Sequence, residues 1–387
     1  MSDLMRPIPF RELLCRIFGE YSKLKSIFGI HKNEFFKKES GKRIEVFGEE
    51  CSVPLGPAAG PHTQLAQNII TSYLTGGRFI ELKTVQKLDM LEIEKPCIDA
   101  ADEGYNTEWS TEYTLEKAYD EYLKAWVILH LLEELLSLNS GLLGSSNGRS
   151  FIFNMSVGYD LEGIKTPGMQ TFIDNLMDSS RNNLFNSYLE QLAGIIKRKE
   201  YIGGTDLAGP LKGAEGLSSG ISSNICRSLT LSTMHGCPPD EIEAICSYML
   251  TEKKLNTFVK LNPTLLGYER VRAILDTTGF GYIELSREGF DKDLKYGDAL
   301  SMLQRLTGTA EACGMSFGVK LSNTLGVVNN KDYLPGEEMY MSGRALFPLT
   351  INLAAEISAD FAGQLPISYS GGASALNVER IFRTGIR

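Results

Sequence analysis

The chain has 387 residues, 43% of them hydrophobic, and a formal net charge of -9. That length builds one large α/β domain or two smaller ones, and the acidic balance excludes the electropositive face that nucleic acid or an anionic membrane surface requires. Seven cysteines (Cys15, Cys51, Cys97, Cys226, Cys237, Cys246 and Cys313) contain no C-x-x-C pair, which excludes a disulfide framework, a zinc site or an iron–sulfur cluster built from close spacing.

The opening MSDLMRPIPFRELL has Asp3, two prolines and no uninterrupted apolar run, so no signal peptide is read there and a cytoplasmic location is expected. Residues 1–50 are expected to form a helical cap, with helices near 9–28 and 31–38 and the short strand RIEVFG. From Ser52 the pattern changes to apolar runs of strand length ending in Gly, Asn, Thr or Ser, each followed by a helical stretch. The strand words are SVPLGPAAG (52–60), RFIELKT (78–84), SFIFNMS (150–156), RSLTLST (227–233), TFVKLN (257–262), GYIELS (281–286), FGVKLSNT (317–324) and LPISYSGG (365–372). Helices are expected over 64–75, 239–252, 267–275, 296–312 and 346–359. Continuously apolar strands alternating with helices imply a parallel sheet buried on both faces, and eight such words suggest a closed (β/α)8 barrel over 51–387.

Two insertions interrupt this rhythm, at about 99–149 and 161–224. The first holds an amphipathic helix within 109–137, with Leu115, Tyr119, Tyr122, Trp126 and Leu129 along one face as packing. The second ends in a Gly/Ser-rich stretch, 202–224, read as either a lid or a linker. The longest apolar run, AWVILHLL at 125–132, is too short to span a bilayer.

In a (β/α) barrel the chemistry sits at the carboxyl ends of the strands, and this sequence is unusual there. GPAAGPHT ends the first word with small residues, so that backbone at Ala58, Ala59 and Gly60 can approach a flat ligand. Lys83 and Thr84 end the second, and Asn154 and Ser156 lie near the end of the third. The fourth runs into STMHGCPPDE, which places Ser232, His235 and Cys237; the fifth ends in Lys260 and Asn262. Lys320, Asn323 and Thr324 close FGVKLSNT. YMSGRALFP and YSGGASALNVERI then each place small residues before a helix, Gly343 in one and Gly371 and Gly372 in the other, the shape of an anion nest on a helix dipole. Three lysines at strand exits need partners, because a buried cation left unpaired is costly. FMN meets all of these demands. Its phosphate needs a nest, its ring needs small residues beneath it, and its reduced form carries negative charge that a lysine stabilises.

PLGPAAGP, IELKT, the HG after a Ser-ending strand, VKLNP, SNT, MSGRALFPL and SYSGG occur in the order found in the flavin-containing dihydroorotate and dihydropyrimidine dehydrogenases. From about residue 52 the chain resembles those barrels. More closely, it resembles the amino-terminal part of the selenate reductase subunit family, which couples such a barrel to FAD and iron–sulfur domains. The resemblance implies that Ala58, Ala59 and Gly60 lie against the flavin, that Lys83 and Thr84 contact its ring and ribityl side, and that Lys260 sits at N1–O2. It puts Asn323 and Thr324 on the ring and substrate face and Gly343, Gly371 and Gly372 at the phosphate. Three departures stand out: Thr230 replaces an Asn, Thr233 replaces the catalytic Cys that follows Ser in the pyrimidine enzymes, and GYIELS adds a strand, so that Lys260 and Lys320 compete for one role.

The activity implied is hydride exchange between flavin N5 and a small polar, pyrimidine-like substrate. Asn154, Ser232 and Asn262 are candidate substrate contacts. A side-chain acid completes the reaction: Cys237, at the cap of a helix whose dipole lowers a thiol's pKa, or His235. Two alternatives remain open, a Schiff-base aldolase or lyase using Lys83 and a flavin electron-relay or scaffold module without a substrate. No G-x-G-x-x-G follows a strand and no cysteine spacing holds a cluster, so electrons are expected from an FAD and iron–sulfur module outside this chain. NVERIFRTGIR reads as a helix stopped by Gly385, which leads to the expectation that another barrel strand lies beyond Arg387 and that unpaired edges favour self-association. No metal ligands are expected.

Overall fold

Six of the expected strand words pair in one parallel sheet. The computed structural model describes residues 6–38, 43–85, 97–99, 105–106, 113–138, 149–214, 216–232, 235–332, 334–384 and 386. Among its strands are β1 (Phe79–Glu81), β2 (Ile152–Gly158), β3 (Cys226–Ser232), β4 (Asn256–Leu261) and β5 (Phe317–Leu321), then a hairpin of β6 (Leu325–Val328) and β7 (Glu338–Met341), and finally β8 (Ile367–Tyr369). The sheet order is β8-β5-β4-β3-β2-β1, every neighbour parallel. All seven residues of β2 and all five of β5 are buried, as their predominantly apolar sequences require of strands covered on both faces.

The first strand word runs beside β1 as extended chain: the Phe79 N–H donates to Leu55 O at 3.0 Å and the Glu81 N–H to Pro57 O at 3.2 Å. Gly56 permits this approach, since a Cβ there would come within 1.7 Å of the Phe79 carbonyl oxygen. The sheet is strongly curled. Laid flat, β1 and β5 would lie about 19 Å apart at the usual inter-strand spacing, yet Lys320 on β5 is ion-paired with Glu81 on β1 across the interior. The fold is therefore α/β of the TIM-barrel type, with the wall made by these strands.

Helices follow the strands where the periodicity places them: α2 (Ala66–Leu74), α6 (Pro239–Thr251), α7 (Tyr268–Thr277), α8 (Tyr296–Cys313) and α9 (Phe347–Asp360). Before them, α1 (Phe10–Leu24) packs on the insertions, with Phe10 stacked on Tyr188 at 4.5 Å. The insertions supply α3 (Leu115–Leu136), α4 (Pro167–Met177) and α5 (Asn183–Arg198). The Thr114 hydroxyl caps α3, accepting from the Lys117 N–H at 3.2 Å.

Several expectations are corrected. GYIELS at 281–286 is not a strand: Gly279 sits at φ +90° just before it, the chain turns, and Glu284 O accepts from the Val328 N–H instead of joining the sheet. Without that extra strand, Lys260 and Lys320 lie on adjacent strands as register partners. The helix expected over 31–38 is a single tight turn, Lys32–Glu34. Helix α3 buries nearly its whole circumference rather than one stripe, including Glu121, Lys124 and His130. Lys124 makes this tolerable by pairing with Asp120 and Glu121 and donating to Ile8 O at 2.8 Å. The readings placed on Thr233 and Gly385 lie outside the described residues. Among the described residues, no helix is long and apolar enough to cross a membrane.

Candidate active site

A cleft of about 740 Å³ opens at the carboxyl ends of the strands. Its walls come from nearly every strand exit. Residues 58–62 follow the extended first segment, Lys83 and Thr84 follow β1, and Gly158 and Tyr159 end β2. Ser232 ends β3, Lys260 lies on β4, and Ser322, Asn323 and Thr324 follow β5. Tyr340 on β7, then Ser342, Gly343 and Leu346, and finally Ser370, Gly371 and Ala373 complete the lining.

One end of the cleft is a glycine cradle. Gly343, Gly371 and Gly372 have φ of +67°, +116° and +73°, conformations that side-chain-bearing residues rarely adopt. A Cβ on Gly371 would lie 2.8 Å from Thr350 Oγ1, and one on Gly372 would lie 2.8 Å from Phe347 Cβ and 3.0 Å from Arg344 Cα. The two small-residue stretches noted in the sequence are thus packed against each other at the start of α9, where backbone N–H groups and the helix dipole favour an anion. Gly372 itself lines an adjoining cavity of about 350 Å³ that shares Ala58, Ser370, Gly371 and Ala373 with the cleft.

The three strand-exit lysines divide into two roles. Lys83 is buried and Lys260 half-buried, and both line the cleft. Lys320 faces the adjoining cavity and is committed to Glu81. Thr84 Oγ1 and Ser156 Oγ are 2.8 Å apart, which ties the exits of β1 and β2 together.

His235 also lines the cleft, with its ring centroid 5.8 Å from that of Tyr340. Its Nδ1 is 2.9 Å from Oδ2 of the buried Asp293. Asp293 also accepts from the Gly236 N–H at 2.7 Å, the Thr264 hydroxyl at 2.7 Å and the Asn262 side-chain amide at 3.1 Å. Burial works against its charge, but the bonds from His235, Thr264 and Gly236 outweigh it and hold the carboxyl below its ordinary range.

The structure separates other sequence candidates from this cleft. Cys237 and Asn262 line a small cavity of about 10 Å³ beside Asp293. Burial, reinforced by the Glu241 and Asp160 carboxylates, pushes the Cys237 thiol up to about 11, the reverse of the shift expected from its place before α6. Asn154 is buried in the barrel interior, donating to Thr230 Oγ1 at 2.7 Å, so Thr230 is paired within the wall. No described residue of the Gly/Ser-rich 202–224 lines the cleft; the Trp126 indole N–H donates to Ser222 O at 2.9 Å and ties that segment to α3.

Sequence reasoning missed Tyr159, Tyr340, Ser370 and Asp293. Asp293 follows the short helix Arg287–Lys292 and had no motif to mark it. Tyr340 opens the word YMSGRALFP, whose small residues drew the reading instead. Tyr159, at φ +106°, is a left-handed bulky residue at the cleft that no sequence pattern signals. Among the described residues, no group of three or more His, Cys, Asp or Glu could hold a metal ion.

The volume, the cradle that a Cβ would fill and the two lysines fit a phosphorylated, flat, electron-accepting cofactor such as FMN. Residues 28–387 match the family described as oxidoreductase YgfK, N-terminal TIM-barrel domain. YgfK of Escherichia coli strain K12 and its counterpart in strain O157:H7 are each 62% identical over all 387 residues. The chain spans 37% of the length of these relatives. Ligand-free DHODH of Eimeria tenella is similar in fold, with a TM-score of 0.50 at 15% identity, covering 97% of this chain and 87% of that one. The family is named by its TIM barrel and oxidoreductase class, and not by selenate. With a cleft built at the strand exits and a match running through the whole barrel, the chain belongs to the YgfK amino-terminal TIM-barrel family of oxidoreductases.

Proposed function

We propose that the cleft binds FMN and that the domain performs two-electron oxidoreduction on a small polar substrate, pyrimidine-like in kind, within a larger electron-transfer protein. The observation that carries this reading is the convergence of a glycine cradle with two lysines, Lys83 and Lys260, on one cleft at the strand exits. Gly343, Gly371 and Gly372 would receive the phosphate. Ala58, Ala59 and Gly60 would lie against the ring, Lys83 and Thr84 would contact its ring and ribityl side, and Lys260 would neutralise the charge gained on reduction. When bound, FMN supplies hydride exchange; the chain supplies orientation, charge and protons. Asn323, Thr324 and Ser232 are assigned to the ring and substrate face. Asn154 and Asn262 are assigned to holding the interior and Asp293, where their hydrogen bonds already lie.

Electrons would arrive from an FAD and iron–sulfur module elsewhere in the protein. The greater length of the relatives supports this, as does the lack of a dinucleotide fingerprint or cluster spacing in these 387 residues. A cytoplasmic setting suits such a system. Selenate reduction, which the resemblance names, would belong to the whole protein rather than to this cleft. The test is the absorption spectrum of the purified chain and the identity of the released chromophore. A yellow protein that releases FMN supports the reading. A colourless protein that added FMN does not restore overturns it.

A further inference from the structure

Asp293 fixes the chemistry of His235. A carboxylate only accepts hydrogen bonds, so the contact at 2.9 Å requires His235 Nδ1 to carry the proton. Three other donors, from Gly236, Thr264 and Asn262, hold the carboxylate in place, and the Asn262 amide also lies 3.3 Å from His235 Nδ1. In the neutral ring Nε2 is then the basic atom. That atom is buried and has no hydrogen-bond partner among the described residues, although the ring lines the cleft. A buried ring nitrogen left unsatisfied is costly unless a ligand completes it.

We propose that His235 Nε2 exchanges the proton with substrate, with Asp293 as the positioning residue that sets its tautomer; this rests on the flavin oxidoreductase reading above. In the direction of substrate reduction, a substrate double bond becomes single. One of its atoms would take a hydride, with both electrons, from the reduced cofactor, and the other takes the Nε2 proton of the His235 imidazolium, the form protonated at both ring nitrogens. The cofactor ends oxidised, and the neutral imidazole left behind is reprotonated by water. In the reverse direction Nε2 removes the proton as the hydride departs. Cys237 has no part in this step, because it lies outside the cleft and its thiol is pushed up to about 11.

Two measurements test this on the 387-residue chain. In the flavin-free protein labelled with ¹⁵N-histidine, only four histidines contribute, and His235→Gln identifies the relevant signals by subtraction. The wild type should show the Nδ1–H tautomer for His235 at alkaline pH. In the FMN-loaded, pre-reduced protein, reoxidation by p-benzoquinone, which takes up two electrons and two protons, is compared with reoxidation by ferricyanide, which takes electrons alone. The quinone-to-ferricyanide rate ratio should fall at least about 100-fold in His235→Gln and Asp293→Asn, the low end of general acid catalysis. An Nε2–H tautomer in the wild type, or an unchanged ratio in both variants, overturns the proposal. A chain that holds no FMN fails the flavin reading and this inference with it. A chain that holds FMN with an unchanged ratio fails this inference alone.

Discussion

Lys320 on β5 crosses the barrel interior to pair with Glu81 on β1, although three strands separate them in the sheet. Both side chains are almost fully buried, so each charge depends on the other. Replacing Glu81 by Leu should therefore cost about 3–5 kcal/mol, because it leaves the buried Lys320 amine, whose pKa burial already lowers to about 7, without its partner. Adding Lys320→Met should restore most of that loss. Urea unfolding midpoints of the wild type, the single variant and the double variant check this. A Glu81→Leu variant as stable as the wild type would show that the pair does not hold the curled sheet.

His130 yields a prediction about pH. It is buried in α3 with Nδ1 2.8 Å from Trp126 O, and burial lowers its pKa from 6.5 to about 4. The unfolded chain therefore binds a proton at this site between those values while the folded chain does not, and stability falls as pH drops through that window. The contribution present above the unfolded value is roughly 3 kcal/mol by the standard conversion. His130→Phe should flatten the stability profile between pH 6.5 and about 4. An unchanged slope in that variant would place the acid sensitivity elsewhere.

Gly372 is the most exacting position in the cradle. Its φ of +73° and the 2.8 Å separation that a Cβ there would have from Phe347 Cβ both oppose any side chain. Gly372→Ala should destabilise the fold by about 1–3 kcal/mol and reduce FMN retention at least tenfold, read by thermal unfolding and by fluorescence of released flavin. Full retention at wild-type stability would argue against a phosphate cradle here.

The fold was legible because its signals are local. Predominantly apolar strand words, each followed by a helical period, placed β1 to β5, β8 and the helices between them within a few residues. GYIELS misled because its composition is that of a strand, whereas its fate was decided by a glycine turn and by contacts with β6. The cleft was legible where backbone constraints write themselves into sequence, as at Gly343, Gly371 and the lysine exits. It was not legible where a side chain acts from a distance in the chain. Asp293 lies 58 residues from His235, and only the folded chain brings them together. Cys237 failed for a related reason: the helix-cap argument considered its own helix and not the burial and carboxylates around it.

Lys260 and Lys320 are register partners, yet only Lys260 lines the cleft. In the FMN-loaded protein Lys260→Gln should lower the two-electron reduction potential, because the reduced state loses its neutralising charge. A charge-assisted hydrogen bond of about 1.5–3 kcal/mol corresponds to roughly 30–60 mV for a two-electron couple. Spectroelectrochemical titration measures the shift. An unchanged potential would remove Lys260 from the flavin's charged edge.

That the glycine cradle holds the cofactor phosphate is tested most directly by titrating the flavin-free chain with FMN and with riboflavin, which differ only in that phosphate. FMN should bind at least about 100-fold more tightly, a difference of about 2.7 kcal/mol, as expected when charge-assisted bonds to the cradle are lost. Equal affinity for the two flavins would contradict a phosphate site in the cradle.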